Sequence, residues 1–330
     1  MFQPQPLPRK YEACLRDLAS TNAAVRASAV TDVVRHVTGD SALRAAVVPL
    51  LERALSDEAA GVRSAAAVAL ADLGAASAVP LLLAAIEDDD AHVRQMAISA
   101  LGEIGEPLAA ARLSRALSDS RPEVRYQSII AFVRVCRDKD EVAAALARAA
   151  GDDDFNIRYI ALRLAEEHGI TGGGVLECAA KSLSDAASEV RAAAAILLAK
   201  SGDARGHALV LAIVRGDVSV QKEDEREAVE LAGAENLAAA VPALERRAFG
   251  LAAKLTDTCS FHAIVALARM GHPRAVASID ADLRASSARR RQAGVVAAGR
   301  AKLASMRALI ASATDVDAQL RDEALASLGA

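Results

Sequence analysis

Asp88-Asp89-Asp90-Ala91-His92-Val93-Arg94-Gln95-Met96-Ala97-Ile98-Ser99-Ala100-Leu101-Gly102-Glu103-Ile104-Gly105 is the stretch that decides the fold. Ala97, Ala100 and Leu101 follow Arg94 at offsets +3, +6 and +7, the spacing of one helix face and not the alternation of a strand. Gly105, at offset +11, sits where a helix ends in a left-handed residue. An aspartate, Asp88, stands six residues ahead of the arginine. The stretch reads as a polar turn followed by a helix of about three to four turns that stops at a glycine.

Moving outward, the pattern recurs. A β-branched residue precedes Arg at Val25-Arg26, Val62-Arg63, Val93-Arg94, Val124-Arg125, Ile157-Arg158 and Val190-Arg191, with arginine spacings of 37, 31, 31, 33 and 33. The six-residue offset is kept by Asp57 and Arg63, Asp88 and Arg94, Asp119 and Arg125, Asp152 and Arg158, Asp185 and Arg191, and Asp315 and Arg321. Gly74, Gly169 and Gly202 take the place of Gly105. Before each aspartate lies a second apolar segment such as Val79-Pro80-Leu81-Leu82-Leu83-Ala84-Ala85-Ile86, whose proline suits only a first helical turn. Each unit is therefore helix A, an Asp-containing turn and helix B. Two such helices cannot bury their apolar faces alone, so the stable form is a stack of units, an all-α solenoid. Later units align as Glu225-Arg226 to Gly233, Phe261-His262 to Gly271, Arg291 to Gly299 and Arg321 to Gly329, giving about ten antiparallel helix pairs. The chain opens on a helix near Tyr11 and closes after a helix B, and on that pattern is expected to be complete.

The pattern D-x-x-x-x-V-R-x-x-A-x-x-A-L-G-x-I-G resembles the HEAT repeat family, in particular the short bacterial HEAT-like repeat first associated with phycobilisome bilin lyases. The likeness is specific over 40–205 and weaker outside. It implies a right-handed superhelix of stacked pairs, with helix B lining the concave side. Residues 1–215 read as regular repeats and 259–330 as divergent ones. Between them, 216–258 is an irregular junction that contains the charged run Gly216 to Asn236. It is open whether the junction is a hinge or a drifted repeat. Charge divides in the same place, +5 over 240–330 (13 basic, 8 acidic) against −9 before it.

The 80 alanines and 53% hydrophobic residues exclude disorder and favour helix. A net charge of −4 offers no global field for nucleic acid, so such binding is expected at most through the basic C-terminal part. The longest uncharged stretch, Leu73 to Ile86, is 14 residues, too short for a membrane span, and the N-terminus lacks a signal-peptide core. A cytoplasmic protein, monomeric on its own, is expected. Cys14, Cys136, Cys178 and Cys259 match no zinc or disulfide spacing and read as buried reduced thiols. The acidic triplets Asp88 to Asp90 and Asp152 to Asp154 lack the glycine and distal glutamate of a calcium loop, so each reads as a turn with one capping residue. No metal or cofactor is expected. Enzymes built on HEAT repeats have signatures that can be checked: the di-iron hydroxylases need His-Glu dipeptides, and none of the six histidines precedes a glutamate. The HEAT-like alkylpurine glycosylases use tryptophans on a basic surface, and this chain has no Trp. No catalytic residue is expected. The resemblance leaves a lyase-like or chaperone-like subunit, acting on a chromophore or a modified protein, as the alternative to a non-catalytic scaffold or adaptor.

Three groups of residues are singled out. The pairs Asp57, Arg63, Asp88, Arg94, Asp119, Arg125, Asp152, Arg158, Asp185 and Arg191 read as a structural ladder, each carboxylate capping helix B and pairing with an arginine of its own or the next repeat. Taking offsets +1, +5 and +8 as outward, the fourth and fifth units present Tyr126, Ile130 and Val133, then Tyr159, Arg163 and Glu166. The chain has only three tyrosines, and Tyr and Arg favour binding hot spots. Gln95, Tyr126, Ile130, Tyr159 and Arg163 either centre a groove for a protein or peptide or fill the furrow between neighbouring B helices. Arg246, Arg247, Arg284, Arg289 and Arg290 either meet an acidic partner or are solvated helix ends.

Overall fold

The computed structural model describes residues 10–37, 39–250 and 258–329. Among them all regular structure is helical, with no strand. The chain divides into two compact units, Met1–Leu164 with Gly172–Gly174, and Ala165–Thr171 with Val175–Ala330. The first holds α1 (Tyr11–Asp17), α2 (Ala23–Val37), α3 (Ser41–Ala54), α4 (Ala60–Asp72), α5 (Val79–Ala85), α6 (Ala91–Ile104), α7 (Ala110–Ala116), α8 (Pro122–Val135), α9 (Lys139–Ala149) and most of α10 (Phe155–Glu167). The second holds α11 (Val175–Ser182), α12 (Ser188–Lys200), α13 (His207–Arg215), α14 (Lys222–Ala234), α15 (Val241–Phe249), α16 (Ser260–Arg269), α17 (Pro273–Leu283), α18 (Ala288–Arg300), α19 (Arg307–Ser312) and α20 (Ala318–Ser327). Odd-numbered helices are the A helices and even-numbered ones the B helices, ten pairs among the described residues. The segment 216–258, read from the sequence as a junction, contains α14 and α15, and its residues 251–257 lie outside the described residues.

Each unit is an α-solenoid. In the first, α2, α4, α6 and α8 stack in order and α1, α3, α5 and α7 each pack on their own partner. The second repeats this from α12 through α20. The cores run along the stacks: Leu51, Leu70, Leu82, Ile98, Leu101 and Leu113 are buried in the first, and Val210, Val229, Leu244, Leu267 and Ile310 in the second. Fully burying one such side chain contributes roughly 1.5–3 kcal/mol. Small residues set the spacing between B helices. Gly102 of α6 lies against Ala131 of α8, where a Cβ on the glycine would be 2.9 Å from the neighbour's Cα. Gly233 meets Ala266 and Gly299 meets Ala324 in the same way, at 2.5 and 2.8 Å.

Helix ends follow residue chemistry. Gly74, Gly105, Gly169 and Gly202 take positive φ, from +55° to +74°, as their offset predicts. Gly233 and Gly299, aligned from sequence as helix ends, lie inside α14 and α18. There they allow close packing, and the left-handed residues of those repeats are Asn236 (φ +50°) and Lys302 (φ +54°).

The six-residue offset has a physical reason. In each regular unit the arginine Nη1 donates to the carbonyls five and six residues back, as Arg63 does to Asp57 (2.9 Å) and Glu58 (3.1 Å), tying helix B to its own turn. The Nε and Nη2 edge reaches the carboxylate of the following repeat: Arg26 to Asp57 (2.8 and 2.7 Å), Arg63 to Asp88 (2.7 Å twice) and Arg125 to Asp152 (2.8 and 2.7 Å). Arg291 and Asp315 pair likewise in the second unit. Arg158 holds the carbonyls of Asp152 and Asp153, and Arg191 those of Asp185 and Ala186. The ladder aspartates do not cap helix B. Their Oδ1 accepts the N–H two residues on, as Asp57 does from Ala59, and the cap falls to a residue two positions later, Asp90 for α6 and Asp154 for α10. A guanidinium–carboxylate pair gains most from this bidentate form.

Candidate functional site

The open strip of each B helix is narrower than offsets +1, +5 and +8 imply. In α12 those positions, Ala192, Ile196 and Ala199, are all buried, as are Gly102 in α6 and Val133 in α8. A B helix has a B helix on either side in the stack, so the +8 direction points into a seam and not to solvent. Among the described residues of α4, α6 and α8, the exposed or half-buried strip runs through +2, +5 and +9: Ala65, Val68 and Asp72, then Met96, Ser99 and Glu103, then Gln127, Ile130 and Arg134. Position +1 lies at its edge, which is why Gln95 and Tyr126 are half-buried.

At the N-terminal end of this strip the first unit has a cleft of about 410 Å³, lined by Gln95, Pro122, Glu123, Tyr126, Gln127, Asp154 and Asn156. Gln95 comes from α6, the next four residues from the first turns of α8, and Asp154 and Asn156 from the start of α10. Pro122 opens α8 because its missing N–H is unneeded there. Asp154 accepts from the N–H groups of Asn156 (2.8 Å) and Ile157 (3.4 Å), which fixes the α10 edge of the cleft. Glu123 is about half exposed and 3.6 Å from Arg94. Phe155, beside Asn156, is 46% exposed, so an aromatic ring stands open next to the cleft. Of the five residues singled out from sequence, the cleft gathers Gln95 and Tyr126. Ile130 lies deeper on the strip, and Tyr159 and Arg163 are half-buried on α10, neither without a partner in the protein. The reading missed Pro122, Glu123, Gln127, Asp154 and Asn156. Their signal was present near the starts of successive B helices: Pro122, Glu123, Asp154 and Asn156 stand ahead of the arginine from which the offsets were counted, and Gln127 stands two residues after it, at an offset not taken as outward.

The arginine cluster of the second unit is largely committed to the protein itself. Arg247 donates to the Val214 carbonyl (2.8 Å) and to Glu225 (2.7 Å). Arg284 pairs with Asp280 one turn earlier (2.8 Å) and Arg290 with Asp282 (2.8 and 2.6 Å). Arg246 and Arg289 are exposed. Across the B helices of this unit a polar row replaces an apolar groove: Lys200 meets Glu166 and Glu227, and Glu230 meets His262 (2.6 Å) and Arg300 (2.8 Å). Cys14 and Cys259 are buried, as the sequence reading expected of all four cysteines, whereas Cys136 and Cys178 are half-exposed. Burial is the main cause that pushes the Cys136 thiol up from its ordinary value, which disfavours the reactive thiolate. Among the described residues no group of His, Cys, Asp and Glu could hold a metal ion, and no helix is long and apolar enough to cross a membrane.

Residues 47–133 match the family model for HEAT repeats, the stretch that holds α4 through most of α8. No curated protein matches the chain in sequence. Among solved structures, YibA of E. coli is similar at 19% identity and a TM-score of 0.56, over 81% of this chain and 100% of that one. Importin beta is similar at 15% identity and a TM-score of 0.52, over 97% of this chain and 50% of its own. The complex of CpcE and CpcF of phycocyanin lyase from Nostoc sp. PCC7120 aligns at 20% identity and a TM-score of 0.45, over 74% of this chain and 96% of that one. At such identities the likeness is one of fold. By its stacked helix pairs each unit is an α-solenoid, and residues 47–133 are similar to HEAT repeats.

Proposed function

We propose that the protein is a non-catalytic scaffold or adaptor that holds an extended segment of a partner protein in the cleft at the N-terminal ends of α6, α8 and α10. The observation that carries this reading is the lining: Gln95, Gln127 and Asn156 bring three carboxamides to one cleft, which Tyr126 also lines. Each carboxamide offers both a donor and an acceptor, which matches the N–H and C=O groups along a peptide backbone. Tyr126 adds a large, stiff contact surface. The side chains stand on helices, so little ordering remains to be done on binding. The test is to pan a random-peptide display library on the immobilised protein, then measure each enriched peptide against wild type and a Tyr126→Ala/Gln127→Ala variant of equal helicity by circular dichroism. Loss of a hot-spot tyrosine is expected to weaken binding about tenfold or more. Equal affinity for both proteins, or no enriched peptide, would remove the cleft as the binding site.

A further inference from the structure

We propose that Asp119 is a two-position carboxylate and Arg121 a docking arginine: an acidic group of a partner takes Arg121, and Asp119 then swings to Arg94 and closes the one open rung of the first unit's ladder. The observation is a buried arginine whose ladder aspartate is held by another residue. Arg94 is 8% exposed and keeps the inner half of the pattern, its Nη1 donating to the carbonyls of Asp88 (2.8 Å) and Asp89 (2.9 Å). Its outer half lacks the bidentate pair, for Nε is buried with no hydrogen-bond partner and Nη2 makes only a long ion pair to Glu123, at 3.6 Å. Arg26, Arg63 and Arg125 all spend that same edge on the aspartate of the following repeat.

The aspartate due to Arg94 is Asp119, and a neighbour has taken it. Arg121 grips it through Nε (2.7 Å) and Nη2 (2.6 Å), while its own N–H donates to Oδ1 (2.9 Å). The residue two after the ladder aspartate is Ala59, Asp90, Arg121, Asp154 or Ala187 in successive repeats, so only this turn carries a competing cation. Arg121 thus holds the ladder carboxylate, and the buried Arg94 is left with the longer contact to Glu123. A buried donor left unmet is unfavourable, whereas Arg121, with 29% of its side chain exposed and Glu87 at 3.9 Å, can be solvated when released. Closing the Arg94 rung offsets part of the cost of breaking the Asp119–Arg121 pair, so an acidic group takes Arg121 at less cost than from an ordinary ion pair, and its apparent affinity contains that difference. Arg121 immediately precedes Pro122 and Glu123 of the cleft, so the docking half rests on a partner seated there; the exchange of Asp119 does not.

Two measurements separate the halves. In a crystal structure of Arg121→Gln, Asp119 is expected on Nε and Nη2 of Arg94 at the distances of the other rungs. The variant's thermal midpoint should lie close to that of wild type, although an ion pair has been deleted. Arg125→Gln, which breaks an ordinary rung, should lower it. Asp119 left away from Arg94, or a loss as large as that of Arg125→Gln, overturns the exchange. For docking, a hexaglutamate peptide titrated at low salt should move the Arg94 Nε–H resonance of wild type toward its position in Arg121→Gln, and leave that variant unchanged. An unmoved Arg94 resonance, or the same shift in both proteins, overturns the docking role.

Discussion

Gly102→Ala should destabilise the protein although alanine is the better helix former. Inside a helix the change alone is worth about 0.8–1.0 kcal/mol in alanine's favour. Gly102, however, lies in α6 against the backbone of α8. Its new Cβ would stand 2.9 Å from the Cα of Ala131 and 3.0 Å from its Cβ. Carbon atoms pack best at about 3.5–4.0 Å, so the helices must part by roughly half an ångström or more. Overpacking of this kind costs about 1–3 kcal/mol, which leaves a net loss of about 1 kcal/mol. Gly61, near the start of α4, is the control, since a Cβ there meets nothing within 4 Å and its φ is not positive. Gly61→Ala should gain a few tenths to about 1 kcal/mol. Urea titrations followed at 222 nm compare the two in one protein. Because α6 carries Gln95 and α8 carries Tyr126, Gly102→Ala should also weaken any peptide held in the cleft, and Gly61→Ala should not. A gain in stability from Gly102→Ala comparable to that from Gly61→Ala would refute the close-contact argument.

Acid should dismantle the ladder. Hydrogen bonds from their arginines hold the carboxyls of Asp57, Asp88 and Asp152 below the ordinary carboxylate range, against the opposing pull of burial. A carboxyl depressed in the folded state contributes its full stability above its unfolded pKa, near 3.9, and loses it as pH falls through the lower folded value. Asp88→Asn should therefore cost about 1–3 kcal/mol at pH 7, with the gap to wild type closing below about pH 4 in denaturant titrations at each pH. A gap that persists unchanged at pH 3 would contradict the ion-pair account. At the end of α18, Lys302→Gly should raise stability by about 1 kcal/mol, because Lys302 holds φ +54° and pays the steric penalty that glycine avoids; no gain in a thermal melt would count against strain at that residue.

The repeat was legible because one side chain, the arginine, must satisfy two distances at once. Its Nη1 serves the turn six residues back, which writes the Asp-to-Arg offset into the chain, and its outer edge serves the next repeat, which writes the spacing of about 31 to 33. The direction of open solvent was less legible. A rotation of 100° per residue locates the core face well, but the border between the open strip and the seam depends on how close the neighbouring helix comes, which Gly102 and Ala131 decide across repeats. Ala192, Ile196 and Ala199 thus share the offsets of Tyr126, Ile130 and Val133, yet all three are buried while Tyr126 reaches a cleft. The break in the ladder was hidden by the regularity itself. Asp119 and Arg125 keep the six-residue offset, so this turn looks like its neighbours in sequence. Only the pairing in space reveals that the offset records a contact to the Asp119 carbonyl, which Arg125 keeps at 2.9 Å, while the carboxylate belongs to a different register, the one Arg121 interrupts.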